Sequence, residues 1–201
     1  LREKSNGAVK MKQNKQNKQN RQDKEDSAAE NENFQIRRAV SEEYMEIYRV
    51  VSKAFEVYST GLERTEHLEE NPEDVKEDIE KHLVLVLEKY GREEGIAGSL
   101  RLEETEDGVY YLRRFAVLPA FQGQGLGSRL IKKAEFEVQK RGGKKIFLYS
   151  AMEKENLVEF YKNMGFNCRE ISSNLGYDRA RWEKEIPVDS DRDKNMSGGV
   201  D

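Results

Sequence analysis

The sequence lacks most of what would cross-link it, hold a metal or anchor it in a bilayer. One cysteine in 201 residues, Cys168, excludes an internal disulfide, fits a reducing compartment and reads as a small buried filler. The two histidines, His67 and His82, have no partners at metal-ligand spacing, so no metal site is expected. The longest apolar run is Leu83 to Leu87, far short of the roughly 20 residues a membrane helix needs. No apolar stretch near the amino terminus suits a signal peptide, which makes the cytoplasm the expected location. Aromatic residues are missing from 1–33 altogether.

What is abundant is charge. Charged residues make up 37% and the mean hydropathy is -0.94, too polar for a chain packed along its whole length. The solvated part is expected at 1–33, where Lys12-Gln13-Asn14 opens a three-residue repeat that cannot bury enough apolar surface to offset its ordering entropy. Up to Lys24 this segment carries a formal +6, which leaves -10 for the remainder of a chain of net charge -4. It reads as a solvated extension, or as residues ahead of a start at Met11. A nucleic-acid contact is the weaker alternative, because no aromatic is present to stack on bases.

Packing begins at Phe34. The alternation Phe34-Gln35-Ile36-Arg37-Arg38-Ala39-Val40 predicts a strand, and Tyr44, Ile47, Val50, Val51, Ala54, Phe55 and Tyr58 predict an amphipathic helix capped by Ser41 and ended by Gly61. A second helix is expected from Pro72 to His82 behind Asn71. Strands follow at 83–90, 95–104 and 109–118, then a helix that Gly142-Gly143 stops, a short buried strand at 145–150, a helix carrying Tyr161, and strands at 166–171 and 177–186. Polar residues 187–201 form a tail. The acidic run with Glu63, Glu66, Glu69, Glu70, Glu73, Asp74, Glu77, Asp78 and Glu80 reads by default as a solvated face.

The stretch with the most chemistry is Phe115-Ala116-Val117-Leu118-Pro119-Ala120-Phe121-Gln122-Gly123-Gln124-Gly125-Leu126-Gly127-Ser128. Pro119 has no amide hydrogen for a ladder, so the strand ends before it. The alternate glycines let successive N–H groups turn toward one point, at which the next helix aims its amino end. Such a turn receives an anion, or it is only a tight corner. No Gly-Lys-Ser/Thr follows, and the spacing is not that of the dinucleotide fingerprint.

Downstream, Asn156 to Phe166 places Tyr161 four residues before Gly165-Phe166. Over roughly residues 34–186 the two segments together resemble the GNAT superfamily of N-acetyltransferases. The resemblance implies an α/β (α+β) fold: a mixed, mostly antiparallel sheet flanked by helices, with strands 109–118 and 146–150 splayed around acetyl-CoA. It implies that the turn Gln122, Gly123, Gln124, Gly125, Leu126 and Gly127, with Ser128, holds the diphosphate. The pantetheine arm would pair with the backbone of Phe115, Ala116 and Val117, and Tyr161 would protonate the departing sulfur. The other reading of Tyr161 is an amphipathic ring packed at a helix end.

Two positions depart from the family pattern. Tyr149 stands where some protein-directed members carry a glutamate, which leaves Glu103 or Glu104 acting through water as the candidate base. Lys154 stands where many members carry a cofactor-binding asparagine, so Asn156, two residues later, is the candidate contact. The resemblance also turns the acidic run into a rim that draws a cationic amine. The expected activity is acetyl transfer to a primary amine, small and cationic or peptide-borne. The alternative from another class is an acyl-CoA sensor without catalysis.

Overall fold

The computed structural model describes residues 33–58, 70–91, 94–173 and 176–187. The expected tails lie outside these residues apart from Asn33 and Pro187, as do Gly61, His67, Glu63, Glu66 and Glu69. Among the described residues seven strands form one sheet: β1 (Phe34–Arg38), β2 (Leu83–Lys89), β3 (Gly95–Glu106), β4 (Val109–Val117), β5 (Lys145–Ala151), β6 (Asn167–Ser172) and β7 (Arg179–Glu185). Their order is β1-β2-β3-β4-β5-β7-β6, and every neighbouring pair is antiparallel except β4 with β5. The helices are α1 (Tyr44–Tyr58), α2 (Pro72–Lys81), α3 (Leu126–Lys140) and α4 (Glu155–Asn163). The expected fold class is therefore the observed one. Among the described residues no helix is long and apolar enough to cross a membrane.

Helices cover the two faces unequally. On one face Leu83, Leu85, Leu100, Leu102, Leu112, Leu148 and Trp182 pack with Leu130, Ile131, Ala134 and Val138 of α3. On the other, Val84, Val86 and Ile96 meet Ile47, Val50 and Val51 of α1 and Val75 and Ile79 of α2. Strand β2 is buried on both faces, which is why it reads as an unbroken apolar run. Each such side chain contributes about 1.5–3 kcal/mol by leaving water.

The second layer ends at β4. On that face Phe147, Tyr149, Arg179 and Arg181 are only partly covered, so β5 is half-buried and not the fully buried strand the sequence suggests. The edge strand β6 explains a second correction. Cys168 is exposed there, with its thiol near the Glu170 carbonyl oxygen at 3.7 Å, and is not core filler.

Local rules account for the helix starts. The Asn71 side chain accepts from the Asp74 N–H at 3.1 Å and Asp74 accepts from the Asn71 N–H at 3.0 Å, with Pro72 following as the first helical residue. Ser41 is not the cap of α1. The chain first makes a 3-10 turn over Ser41–Glu43, and the Glu43 carboxylate takes the Val40 N–H at 2.9 Å. Arg37 holds that carboxylate and Glu88 together, binding Glu88 through Nε and Nη2 at 2.8 Å each. Its hydrogen bonds keep the Glu88 carboxyl down at about 2.

Candidate active site

Strands β4 and β5 pair only from Val109–Lys145 to Tyr111–Phe147; beyond that no ladder joins them. A bulge drives them apart. Ser99 faces Ala116 and Arg101 faces Arg113, so β4 carries an extra residue there, and Arg114 takes φ 53. The opening is a cleft of about 670 Å³ reached by α1, β4, β5, α4 and the glycine turn. The edge of β4 from Leu112 to Val117 faces it without a strand partner, which suits an extended amide-bearing ligand.

The turn occupies one end. Gly123 and Gly125 have φ 77 and 76, and a Cβ built on either meets nothing within 4 Å. Gly125 caps α3, whose first N–H groups have no partners within the helix, so a diphosphate fits the space and the field there. Gln122 ties the turn to the strand by donating Nε2–H to the Val117 carbonyl at 2.8 Å.

Gly127 has a different use. A Cβ there would stand 3.2 Å from Phe115 Cζ, so its absence lets the stacked Phe115 and Phe160 rings lie against α3. Of the expected ligand-binding residues, Phe115, Ala116, Val117, Gln122, Gly123, Gly125, Gly127, Ser128 and Asn156 line the cleft. Leu126 does not: it is 1% exposed and packs in the core with Phe34, Leu87 and Ala97. Gln124 also points elsewhere, toward the Ala120 carbonyl.

Tyr161 lines the same cleft. Its ring is buried against Phe160, Phe166 and Trp182, with centroids 5.3, 5.9 and 6.1 Å away. Glu103 is not brought to this cavity. Its carboxylate accepts from Nε of Arg113 at 3.0 Å, and of the two only Arg113 lines the cleft.

The opposite end is built from side chains that, Tyr149 apart, the sequence did not single out. Arg113, Arg114, Arg179, Tyr111, Tyr149 and Tyr177 line it. Beneath them Arg101, 0% exposed, binds Glu70 at 2.5 and 2.9 Å and Asp78 at 2.5 Å. Arg113 shares Asp78, and Arg114 Nε reaches Glu70 at 3.3 Å. Burial opposes the Arg113 charge, but Asp78 and Glu103 outweigh it and hold its pKa above the usual value. Burial also raises the Tyr111 phenol, which therefore stays a neutral donor. The acidic run thus divides: Glu70 and Asp78 neutralise buried arginines, while Glu73, Asp74, Glu77 and Glu80 face solvent.

Residues 39–166 match the profile of the acetyltransferase (GNAT) family. The chain belongs to that family. Enzymes of the GNAT family take acetyl from acetyl-CoA. An uncharacterized N-acetyltransferase of Methanocaldococcus jannaschii is 40% identical over 63 residues, which are 31% of this chain and 28% of that protein. The match thus spans little more than a quarter of that relative's length. Among solved structures, the PaiA N-acetyltransferase of Thermoplasma acidophilum in complex with coenzyme A superposes with TM-score 0.65 at 20% identity, covering 76% of this chain and 98% of that one. An acetyltransferase of Salmonella typhimurium with acetyl-CoA gives 0.62 at 16% identity, covering 79% and 96%.

Proposed function

We propose that this chain is an enzyme that transfers acetyl from acetyl-CoA directly to a primary amine, small or peptide-borne. One observation carries the reading: Tyr161 and the glycine turn, distant in sequence, line one cleft at the place where β4 and β5 part. Acetyl-CoA supplies the activated acetyl thioester. The turn and the amino end of α3 would hold its diphosphate, with Asn156 and Ser128 beside them, and the open edge of β4 would hold its amide arm. An N–H of the Phe115 to Val117 segment that turns toward the cleft would stabilise negative charge on the carbonyl oxygen as the amine nitrogen bonds to the acetyl carbon.

The carbon–sulfur bond then breaks, and Tyr161 Oη gives its proton to the sulfur. Among the described lining residues there is no Asp, Glu or His to take the proton of the attacking amine. The attacking amine must be neutral, and once bonded to the acetyl carbon it gives up a further proton; Glu103, bound to Arg113, does not line the cleft. Thiol release from acetyl-CoA on a panel of amines, with the acetylated product weighed by mass spectrometry, tests the proposal. Release coupled to an N-acetyl product is expected, whereas tight acetyl-CoA binding without any product would make this an acyl-CoA sensor.

A further inference from the structure

The charges that line the cleft are of one sign. Arg113, Arg114 and Arg179 are there, and no carboxylate is, among the described residues. Two of the three are committed to structure: Arg113 to Asp78 and Glu103, Arg114 to Glu70. Arg101 completes this network, three guanidiniums against three carboxylates, so that part of the wall is close to neutral.

Arg179 is the exception. Among the described residues its guanidinium has no carboxylate partner and lies over the Tyr149 ring, 4.1 Å from the centroid. The acidic residues nearest it along the fold are engaged elsewhere. Asp178 accepts from Ser173 Oγ at 2.6 Å, and Glu153 accepts from the Asp178 N–H at 3.0 Å. Arg181, two residues on, is paired with Glu183 at 3.0 Å.

Tyr149 is itself fixed, edge-on to Tyr111 at 5.8 Å and to Phe147 at 6.0 Å, while Tyr111 and Phe147 stack at 5.0 Å. A guanidinium seated over such a platform is restrained by the ring and leaves N–H groups to bond outward. Register places it opposite Ala151, at the end of β5 where the cleft opens. Tyr177, on the same wall, adds a phenol. A planar donor fork of this kind matches a carboxylate in two parallel hydrogen bonds and repels an ammonium group.

We infer that the acceptor carries a carboxylate close to its reactive amine, and that Arg179 receives that carboxylate while the amine faces the acetyl group. The inference rests on the acetyl-transfer reading and refines its acceptor: a polycationic amine is disfavoured, and an amino acid or an acidic peptide end is favoured.

The test uses the full chain and acceptor pairs that exchange a carboxylate for an amide: alanine against alaninamide, the tripeptide amide Asp-Ala-Ala against Asn-Ala-Ala, and spermidine as the cation, with every rate expressed per neutral amine because the carboxylate also raises the amine pKa. The acidic member of at least one pair should have the higher kcat/KM, by about 10- to 100-fold, the range expected for hydrogen bonds to a charged group. Which pair discriminates tells a free amino acid from a peptide. Arg179→Met should bring that ratio toward one while acetyl-CoA affinity, read by calorimetry, does not move. Arg179→Lys keeps the charge without the fork and should fall between; it serves as the reporter if the methionine variant fails to fold.

Equal rates within both pairs, a preference for spermidine, or a ratio that survives in the variants would overturn the inference. Calorimetry of the same pairs on the protein saturated with coenzyme A separates the two proposals. An acid preference in binding that Arg179→Met erases, with no turnover, retains the carboxylate site and removes direct transfer; absence of both turnover and acid-selective binding removes the site.

Discussion

At the turn end the cleft is lined by Gln122, Gly123, Gly125, Gly127 and Ser128, three of which offer only backbone, whereas at the arginine end it is lined by side chains drawn largely from β4, β5 and β7. The first end is set by φ angles that glycine permits, 77 and 76 at Gly123 and Gly125. The second is set by a buried ion network behind the wall, with Arg101 fully enclosed between Glu70 and Asp78. A backbone site recognises what all its ligands share, and a side-chain site can be re-cut for each acceptor without moving the first. The two ends should therefore fail independently.

The largest effect is expected at the arginine end. Arg101→Met removes one member of a buried network, which typically costs 3–5 kcal/mol; because Arg113 and Arg114 remain to face Asp78 and Glu70, about 3 kcal/mol is expected here. Urea unfolding should show that loss. If the ends are separable, KM for the amine rises while calorimetric affinity for acetyl-CoA stays within about twofold. A matched loss of acetyl-CoA affinity would merge the two ends into one unit.

This contrast also explains what could be read from the chain before its fold was known. Gln122 to Ser128 and Tyr161 with Gly165-Phe166 are contiguous signals, because a turn and a helix end are built from neighbours in sequence. The sheet was legible for a similar reason: the alternation in Phe34–Arg38 and the glycine and proline breaks fix where strands start and stop. Arg113 and Arg179 were not legible, because separate strands contribute them and only the fold brings them to one cleft, and Tyr149 was legible only as a departure from the family pattern. The available signal was the outward set Phe147, Tyr149 and Arg179, Arg181, which alternates against buried Ile146, Leu148 and Ala180, Trp182. An apolar-looking β5 hid it, since two outward residues are aromatic. Leu126 shows the reverse: a family motif position inside the turn has its side chain in the core because the helix it opens must pack, which leaves only its backbone to the turn.

Tyr161 lines the cleft with both ends, and replacing it measures chemistry with little effect on either. Tyr161→Phe keeps the ring among Phe160, Phe166 and Trp182 and removes the hydroxyl. If that hydroxyl protonates the sulfur, kcat falls about 10²-fold, with acetyl-CoA affinity and melting temperature nearly unchanged. A ring that only packs predicts near wild-type kcat, and that outcome would sink the acid assignment.

The smallest effects separate two glycines within the turn end itself. Gly125→Ala asks an L-residue to hold φ 76 where its Cβ meets no atom, so the cost is conformational, about 1–2 kcal/mol. The same Cβ enters the open space at the amino end of α3, where the diphosphate is proposed to sit, and acetyl-CoA affinity should drop about tenfold or more. Gly127→Ala has no such backbone penalty, since this residue lies in the helix, and gains up to about 1 kcal/mol of helix propensity. Against that gain, its Cβ at 3.2 Å pushes Phe115 a few tenths of an ångström along its stack with Phe160. The two terms oppose each other, so stability should change by less than about 1 kcal/mol while acetyl-CoA affinity is largely retained. Paired urea melts and calorimetry on the two variants decide the matter: equal affinities would show that the open space at Gly125 is a structural corner and that the anion binds elsewhere.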